Sequence, residues 1–187
     1  MTDHPQQLYA VEFTEADQAR LVGFSCGEEK WSQHFSEWIL GSDVVESMKK
    51  GTRVWLFETA QSEVVGFGAI GKTRWQWPPP KGARATLVII PMLGLDARFH
   101  GQPPDPAWRS SRQMMSHLFA EGQRLVHEWP GNLTERPQWM VLLVHQDNRR
   151  AIWFYEQCGF ELIPNVVRRN DHLIMKIWIG ESGAPST

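Results

Sequence analysis

Residues 147–160 read DNRRAIWFYEQCGF and directly follow the apolar run Trp139–Val144. A short, continuous apolar run is typical of a buried strand. After it come a polar turn, the segment Ala151–Cys158, a glycine and an aromatic residue. Gly159 predicts a helix end with positive φ, and Phe160 predicts a core position. The stretch therefore predicts a buried strand, a tight turn and a short helix, in that order.

The rest of the chain mixes strand and helix patterns. Trp75–Gly82 is predicted to be a loop, because its three prolines cannot lie in a central strand. Strands are predicted at 8–13, 53–58, 63–70, 85–95 with an interruption at Pro91, 139–145, 160–163 and 172–179, and helices at 31–40, 43–51, 105–128 and 151–158. Since no repeat or domain boundary is visible, residues 1–187 are expected to form one domain with a core over 8–179. The element order predicts an α+β fold on a mostly antiparallel sheet.

Composition excludes several classes of protein. The net charge of −2 gives no overall positive field that would attract nucleic acid or an anionic membrane. A local basic patch is still compatible with this charge. Cys26 and Cys158 are far apart, so neither a disulfide framework nor a zinc site is expected, and no other metal is expected. No apolar run approaches the roughly 20 residues that span a bilayer. We therefore expect a soluble, cytoplasmic protein.

The motif at 147–160 resembles the signature of the GNAT superfamily of acetyl-CoA-dependent N-acetyltransferases. That signature has the form Asn-x-x-Ala-x-x-Phe-Tyr-x-x-x-Gly-Phe, and its positions are here Asn148, Ala151, Phe154, Tyr155, Gly159 and Phe160. The resemblance implies a GNAT-like fold, in which helices flank a mixed, mostly antiparallel sheet. It also implies acetyl-CoA as cosubstrate and a primary amine on a small molecule or peptide as acceptor.

The resemblance places cofactor binding at the junction between a strand end and the long helix. Backbone amides at a helix N-terminus suit the diphosphate of CoA, because orphan N–H groups and the helix dipole both favour anions. Arg98-x-x-Gly101 matches the first half of the family's loop, but Pro103 stands where its second glycine is expected. In a second register the loop begins at His100 and Gly101 and resumes at Arg109–Ser111 after an insertion. The expected cofactor-binding residues are Leu93, Leu95, Arg98, Gly101, Gln102, Arg109, Ser110, Ser111, Arg112 and Asn148.

Prolines in this loop remove amides that could have bound phosphate. One outcome is a cradle formed by the Gln102 amide and those of 109–112, with Arg109 and Arg112 adding charge. The other is a pocket that has lost affinity for CoA. Both arginines can equally be ordinary residues of a helix surface.

Three residues near the motif are candidates for the chemistry. The resemblance makes Tyr155 the group that protonates the leaving thiolate, and the alternative is a tyrosine with a structural role. Asn148 is expected either to contact the pantetheine arm or to cap the short helix. His145 is a candidate base for the acceptor amine, because an imidazole titrates near neutral pH. A chain of waters is the alternative to His145.

A closer resemblance is to the acetyltransferase toxins of toxin–antitoxin pairs, whose substrate is the amino group of aminoacyl-tRNA. It rests on 24–27, 64–67 and 89–96, which read FSCG, VVGF and IIPMLGLD. This resemblance implies tRNA as a partner, and the slightly acidic composition opposes it. A third alternative is a GNAT-like module that binds without catalysis. A homodimer is a further expectation by analogy with the family.

Overall fold

The computed structural model describes residues 7–100, 106–168 and 171–180, and it gives the backbone alone for 106–108 and 165–168. The strands are β1 (Tyr9–Glu12), β2 (Arg53–Glu58), β3 (Val64–Trp77), β4 (Ala83–Ile90), β5 (Leu93–Leu95), β6 (Trp139–His145), β7 (Glu161–Arg168) and β8 (His172–Trp178). The helices are α1 (Lys30–Leu40), α2 (Asp43–Lys49), α3 (Pro106–His127) and α4 (Arg149–Gln157), with 3-10 helices at Glu15–Leu21, Ala97–Phe99 and Leu133–Glu135. The chain packs into two compact units, Met1–Ala69 with Met92–Leu118, and Ile70–Pro91 with Phe119–Thr187. A single domain over 1–187 stays a prediction.

The first unit builds its core on the apolar face of α1. The Trp38 ring of that helix stacks on Phe67 of β3, with centroids 5.8 Å apart. Phe24 meets the same Phe67 ring edge-on at 5.9 Å. In this unit β1 pairs with β2 and β5 pairs with the first part of β3, both antiparallel. The helical spacing of the apolar residues therefore predicted α1 correctly, because that spacing places one face of the helix in the core.

The second unit holds the remainder of β3 in the strand order β3-β4-β6-β8-β7. Its pairings are antiparallel except for β4 with β6, which are parallel. A parallel pair needs a long crossover, and the chain between these two strands includes α3. Gly122 of α3 lies where a Cβ atom would collide with the Met140 side chain of β6. The predicted mixed, mostly antiparallel α+β arrangement is confirmed.

Two of the predicted elements had wrong boundaries, and one helix was missed. Trp75–Trp77 is not a loop but the end of β3, where Trp75 pairs with Ala85 and Trp77 with Ala83. The prolines lie after the last paired residue, so they limit the strand without excluding the residues before them. The strand predicted at 160–163 extends to Arg168. The 3-10 helix Glu15–Leu21 was not predicted. The predicted interruption at Pro91 is confirmed by the break between β4 and β5.

Candidate active site

The turn between β6 and α4 is organised by Asn148. Its Oδ1 atom accepts a hydrogen bond from the Ala151 amide at 3.1 Å, so Asn148 is the N-cap of α4. The capping alternative for this residue is therefore confirmed. The side-chain oxygen is occupied by the cap, which leaves the Nδ2 amide as the donor for any ligand. A contact between Asn148 and the pantetheine arm stays a prediction.

Tyr155 lies on the buried face of α4 and is 8% exposed. Its ring packs against Phe154 with centroids 5.4 Å apart and meets Phe160 edge-on at 5.9 Å. Burial raises the pKa of Tyr155 above its ordinary value, and the charge of the nearby Cys158 adds a smaller contribution in the same direction. The phenol is therefore protonated at neutral pH. The raised pKa makes the phenol a weaker acid than an ordinary tyrosine, and its O–H remains a hydrogen-bond donor at neutral pH.

The end of α4 fixes the position of that ring. Gly159 has φ +90°, a left-handed conformation that glycine adopts at little cost. This reversal sends Phe160 into the core, where it is 3% exposed and lies 5.6 Å from the Phe119 ring. Both expectations for these residues are confirmed. The capped start and the glycine end together restrict α4 to about two and a half turns.

His145 ends β6 with one ring nitrogen already engaged. Its Nδ1 atom accepts the Asp147 backbone N–H at 3.2 Å, and the Asp147 carboxylate lies 3.7 Å from the same nitrogen. In the neutral imidazole the proton is then on Nε2. The lone pair that a base would use is on Nδ1, and it already accepts the hydrogen bond from the Asp147 amide. His145 would have to break the bond before it could act as a base. Its role as the general base stays a prediction that this geometry disfavours.

A second histidine, which the sequence did not bring to attention, faces His145. His172 of β8 pairs directly with His145 of β6, and the two rings meet edge-on with centroids 5.5 Å apart. The two residues are 27 positions apart in the sequence, so only the strand register could have revealed the pair. In the part of the chain that the structure describes, no group of three or more His, Cys, Asp or Glu side chains could hold a metal ion.

In the first unit, β5 presents backbone groups along one edge. Met92 accepts a hydrogen bond from the Ala69 amide, and Asp96 donates one to the Val65 carbonyl, both at 2.9 Å. Peptide groups alternate in direction along a strand, so those of Leu93 and Leu95 point to the edge of β5 away from β3. Among the described strands, none pairs with that edge.

That edge of β5 is where a ligand amide could add to the sheet. The Leu95 carbonyl on it already lies 3.0 Å from His100 Nε2. The Leu93 carbonyl and the Leu93 and Leu95 amides point the same way. Both residues stay predicted cofactor-binding residues, through their backbone groups.

Arg98 is held by carboxylates at the end of β5. Asp96 is 1% exposed and accepts from the Arg98 amide at 2.9 Å and from its Nε at 3.0 Å, while Arg98 Nη1 lies 2.9 Å from Glu63. A diphosphate at Arg98 would compete with these two acidic partners. Cofactor binding by Arg98 stays a prediction, and Gly101 and Gln102 lie outside the described residues.

The start of α3 brings together two of the predicted basic residues. Arg109 and Arg112 line a surface cavity of about 480 Å³ together with Gln7 and Gln113. Ser110 is 5% exposed and Ser111 is half-buried, so the two arginines are the exposed members of the predicted set on this helix. Residues spaced three apart share one side of a helix, which explains the pairing. Diphosphate binding by these residues stays a prediction.

No protein-family model and no curated protein matches this chain. Solved structures do match. A mutant of the toxin AtaT, bound to the C-terminus of the antitoxin AtaR and acetyl-CoA, is 17% identical, with a TM-score of 0.62 over 92% of this chain and 94% of that one. AtaT complexed with acetyl-methionyl-tRNAfMet is 20% identical, with a TM-score of 0.59 over 90% and 94%. A KacTA–DNA complex is 16% identical, with a TM-score of 0.62 over 92% and 94%. The predicted GNAT-like fold is confirmed by these structures.

Proposed function

We propose that this chain is an acetyl-CoA-dependent N-acetyltransferase that acts by direct attack of a primary amine in a ternary complex. The observation that carries the proposal is the position of the Tyr155 phenol on the N-capped α4, which directly follows β6. The fold it shares with AtaT supports the proposal, because AtaT has been solved with acetyl-CoA. Within the described residues, no helix is long and apolar enough to cross a membrane.

The reaction needs one acid and one route for an amine proton. The amine nitrogen attacks the thioester carbonyl, a C–N bond forms, and the C–S bond breaks. Tyr155 gives its proton to the departing thiolate and regains one from solvent, and the proton that the amine loses leaves through water or a base. A covalent route through Cys26 is disfavoured, because burial raises the pKa of its thiol to about 12 and keeps it protonated.

Cosubstrate binding is assigned to backbone and basic groups. In this proposal the peptide groups of Leu93 and Leu95 and the Asn148 amide hold the pantetheine arm. The α3 residues Arg109 and Arg112 hold the diphosphate. A guanidinium gives a phosphate paired, charge-assisted hydrogen bonds, which favours arginine for this role.

Two measurements test the proposal in order. Acetyl-CoA should raise the melting temperature, because a ligand that binds only the native state stabilises it by RT ln(1 + [L]/Kd). Release of the CoA thiol with a panel of primary amines should then name the acceptor class. Stabilisation without thiol release from any amine would favour the non-catalytic module. Absence of both would remove the proposal.

A second candidate acceptor is the amino group of an aminoacyl-tRNA. The specific observation in its favour is the shared fold with AtaT in complex with acetyl-methionyl-tRNAfMet. Growth arrest on expression, relieved by Tyr155→Phe, supports this acceptor. Rapid acetylation of small amines, with none of charged tRNA, excludes it.

A further inference from the structure

One segment of this slightly acidic chain carries cations and no carboxylates. Residues 64–95 contain Lys72, Arg74, Lys81 and Arg84 and no aspartate or glutamate, whereas the whole chain has a net charge of −2. This segment covers β3, β4 and β5. All four cationic side chains are exposed. The charge is therefore local and directed at solvent.

The strand register places three of these cations on one side of the hairpin. Gln76 pairs with Arg84, Arg74 with Thr86, and Lys72 with Val88. Because side chains alternate between the two faces of a strand, Lys72, Arg74, Gln76 and Arg84 share one face. Arg74 and Arg84 are diagonal neighbours, for which the α-carbons are typically about 7–8 Å apart. Like charges at that spacing repel, so this arrangement is a cost that an anionic ligand would offset.

The protein itself offsets little of that charge. Glu135 Oε1 lies 3.9 Å from Arg74 Nη2, and both side chains are more than half exposed. An exposed ion pair of this kind contributes little to stability. The Lys72 Nζ atom lies 5.3 Å from the centre of the half-buried Trp129 ring, which adds an aromatic surface beside the cations.

We propose that this basic hairpin face, formed by Lys72, Arg74, Gln76 and Arg84 with Trp129 beside it, binds the phosphate backbone of a single-stranded nucleic acid. Regularly spaced exposed cations suit a repeating anion, and an indole ring suits an unstacked base. An acidic protein surface would contact the cations alone, whereas a base could also contact the exposed part of the half-buried Trp129 ring. The basic hairpin face contains none of the residues that are assigned above to acetyl transfer.

The test measures binding of a fluorescein-labelled single-stranded oligoribonucleotide by fluorescence anisotropy, from about 50 to 200 mM salt. The variant carries Lys72→Gln, Arg74→Gln and Arg84→Gln. The matched control carries Lys30→Gln, Lys49→Gln and Lys50→Gln, which removes three exposed cations from α1 and α2 and the residue that follows α2.

Each phosphate contact contributes about 0.7 to the slope of log K against log salt for a single strand. The hairpin variant should therefore lose about 2 from that slope, and the control should keep the slope of the wild type. Trp129→Ala should weaken binding while keeping the slope, because it removes stacking and no charge. Thiol release from acetyl-CoA with a small primary amine as acceptor should be unchanged in the hairpin variant, which separates this proposal from the acetyltransferase proposal.

Several results would overturn the proposal. Equal losses in variant and control would show that net charge alone governs binding. Equal displacement of the RNA by poly-glutamate would assign the face to anions in general. If the wild-type protein does not bind the RNA at the lowest salt, nucleic acid is excluded as the occupant. The same holds if light scattering shows a wild-type dimer that the hairpin variant abolishes. If the triple variant unfolds, Arg84→Gln alone should lower the slope by about 0.7.

Discussion

Replacing Asn148 by alanine should lower the free energy of unfolding by about 1 kcal/mol, because it removes the N-cap of α4. The Oδ1 atom of Asn148 accepts a hydrogen bond of 3.1 Å from the Ala151 amide. Alanine offers no acceptor to that amide, and the loss of such a cap costs about 0.5–2 kcal/mol. For a chain of this size, about 1 kcal/mol corresponds to a fall of about 2–4 °C in Tm.

Aspartate is the matched variant at this position. It keeps an oxygen that can accept from Ala151, and its negative charge is favourable at a helix N-terminus, so Asn148→Asp should retain the Tm of the wild type. It lacks the Nδ2 donor, however. If Asn148 also donates to the pantetheine arm, aspartate should weaken acetyl-CoA binding in calorimetry while thermal unfolding stays unchanged.

The two variants therefore separate the cap from the ligand contact. Alanine should change both stability and affinity, and aspartate should change affinity alone. An Asn148→Ala protein that unfolds at the wild-type temperature would refute the capping argument.

Three further predictions concern packing and reactivity. Gly94→Ala should lower the free energy of unfolding by about 1–3 kcal/mol in denaturant unfolding, because the added Cβ would lie 2.5 Å from Phe67 Cε1. Unchanged stability would contradict this packing. Gly159→Ala should lower the free energy of unfolding by about 1–2 kcal/mol, because φ is +90° at this position. Gly159→Asn should lower it less, because asparagine adopts a left-handed conformation more readily, and equal losses would contradict the left-handed assignment. At pH 8, a disulfide reagent should label Cys158 well before Cys26, whose thiol has a pKa raised to about 12 by burial, and rapid labelling of both thiols would contradict that burial.

Local signals explain what the sequence predicted well. The Asn148 cap and the Gly159 reversal depend on residues within one turn of α4, so the sequence carries them directly. The continuous apolar run of β6 also predicts a buried strand without reference to other parts of the chain. The break at Pro91 was predictable because proline lacks the N–H that a paired strand needs.

Tertiary contacts decide what the sequence did not predict. Trp75 and Trp77 belong to β3 because β4 pairs with them, and no signal within 75–77 specifies a partner. The Arg98–Glu63 ion pair joins residues 35 positions apart. The Nδ1 bond of His145 depends on the geometry of the turn after β6. Such features depend on which strands pair and on the exact geometry of a turn, and the residues of a single segment do not specify either.

The role of Tyr155 is tested most directly by the rate of CoA release in Tyr155→Phe, with Tyr9→Phe as the control. Tyr9 is the other tyrosine of the chain and is 48% exposed, so its replacement removes a hydroxyl remote from α4 in sequence. Loss of a general acid should lower kcat by about 10²–10⁴-fold in the Tyr155 variant, with acetyl-CoA still raising Tm, while the Tyr9 variant keeps the wild-type rate. A Tyr155→Phe protein that releases CoA at the wild-type rate would contradict the proposed mechanism.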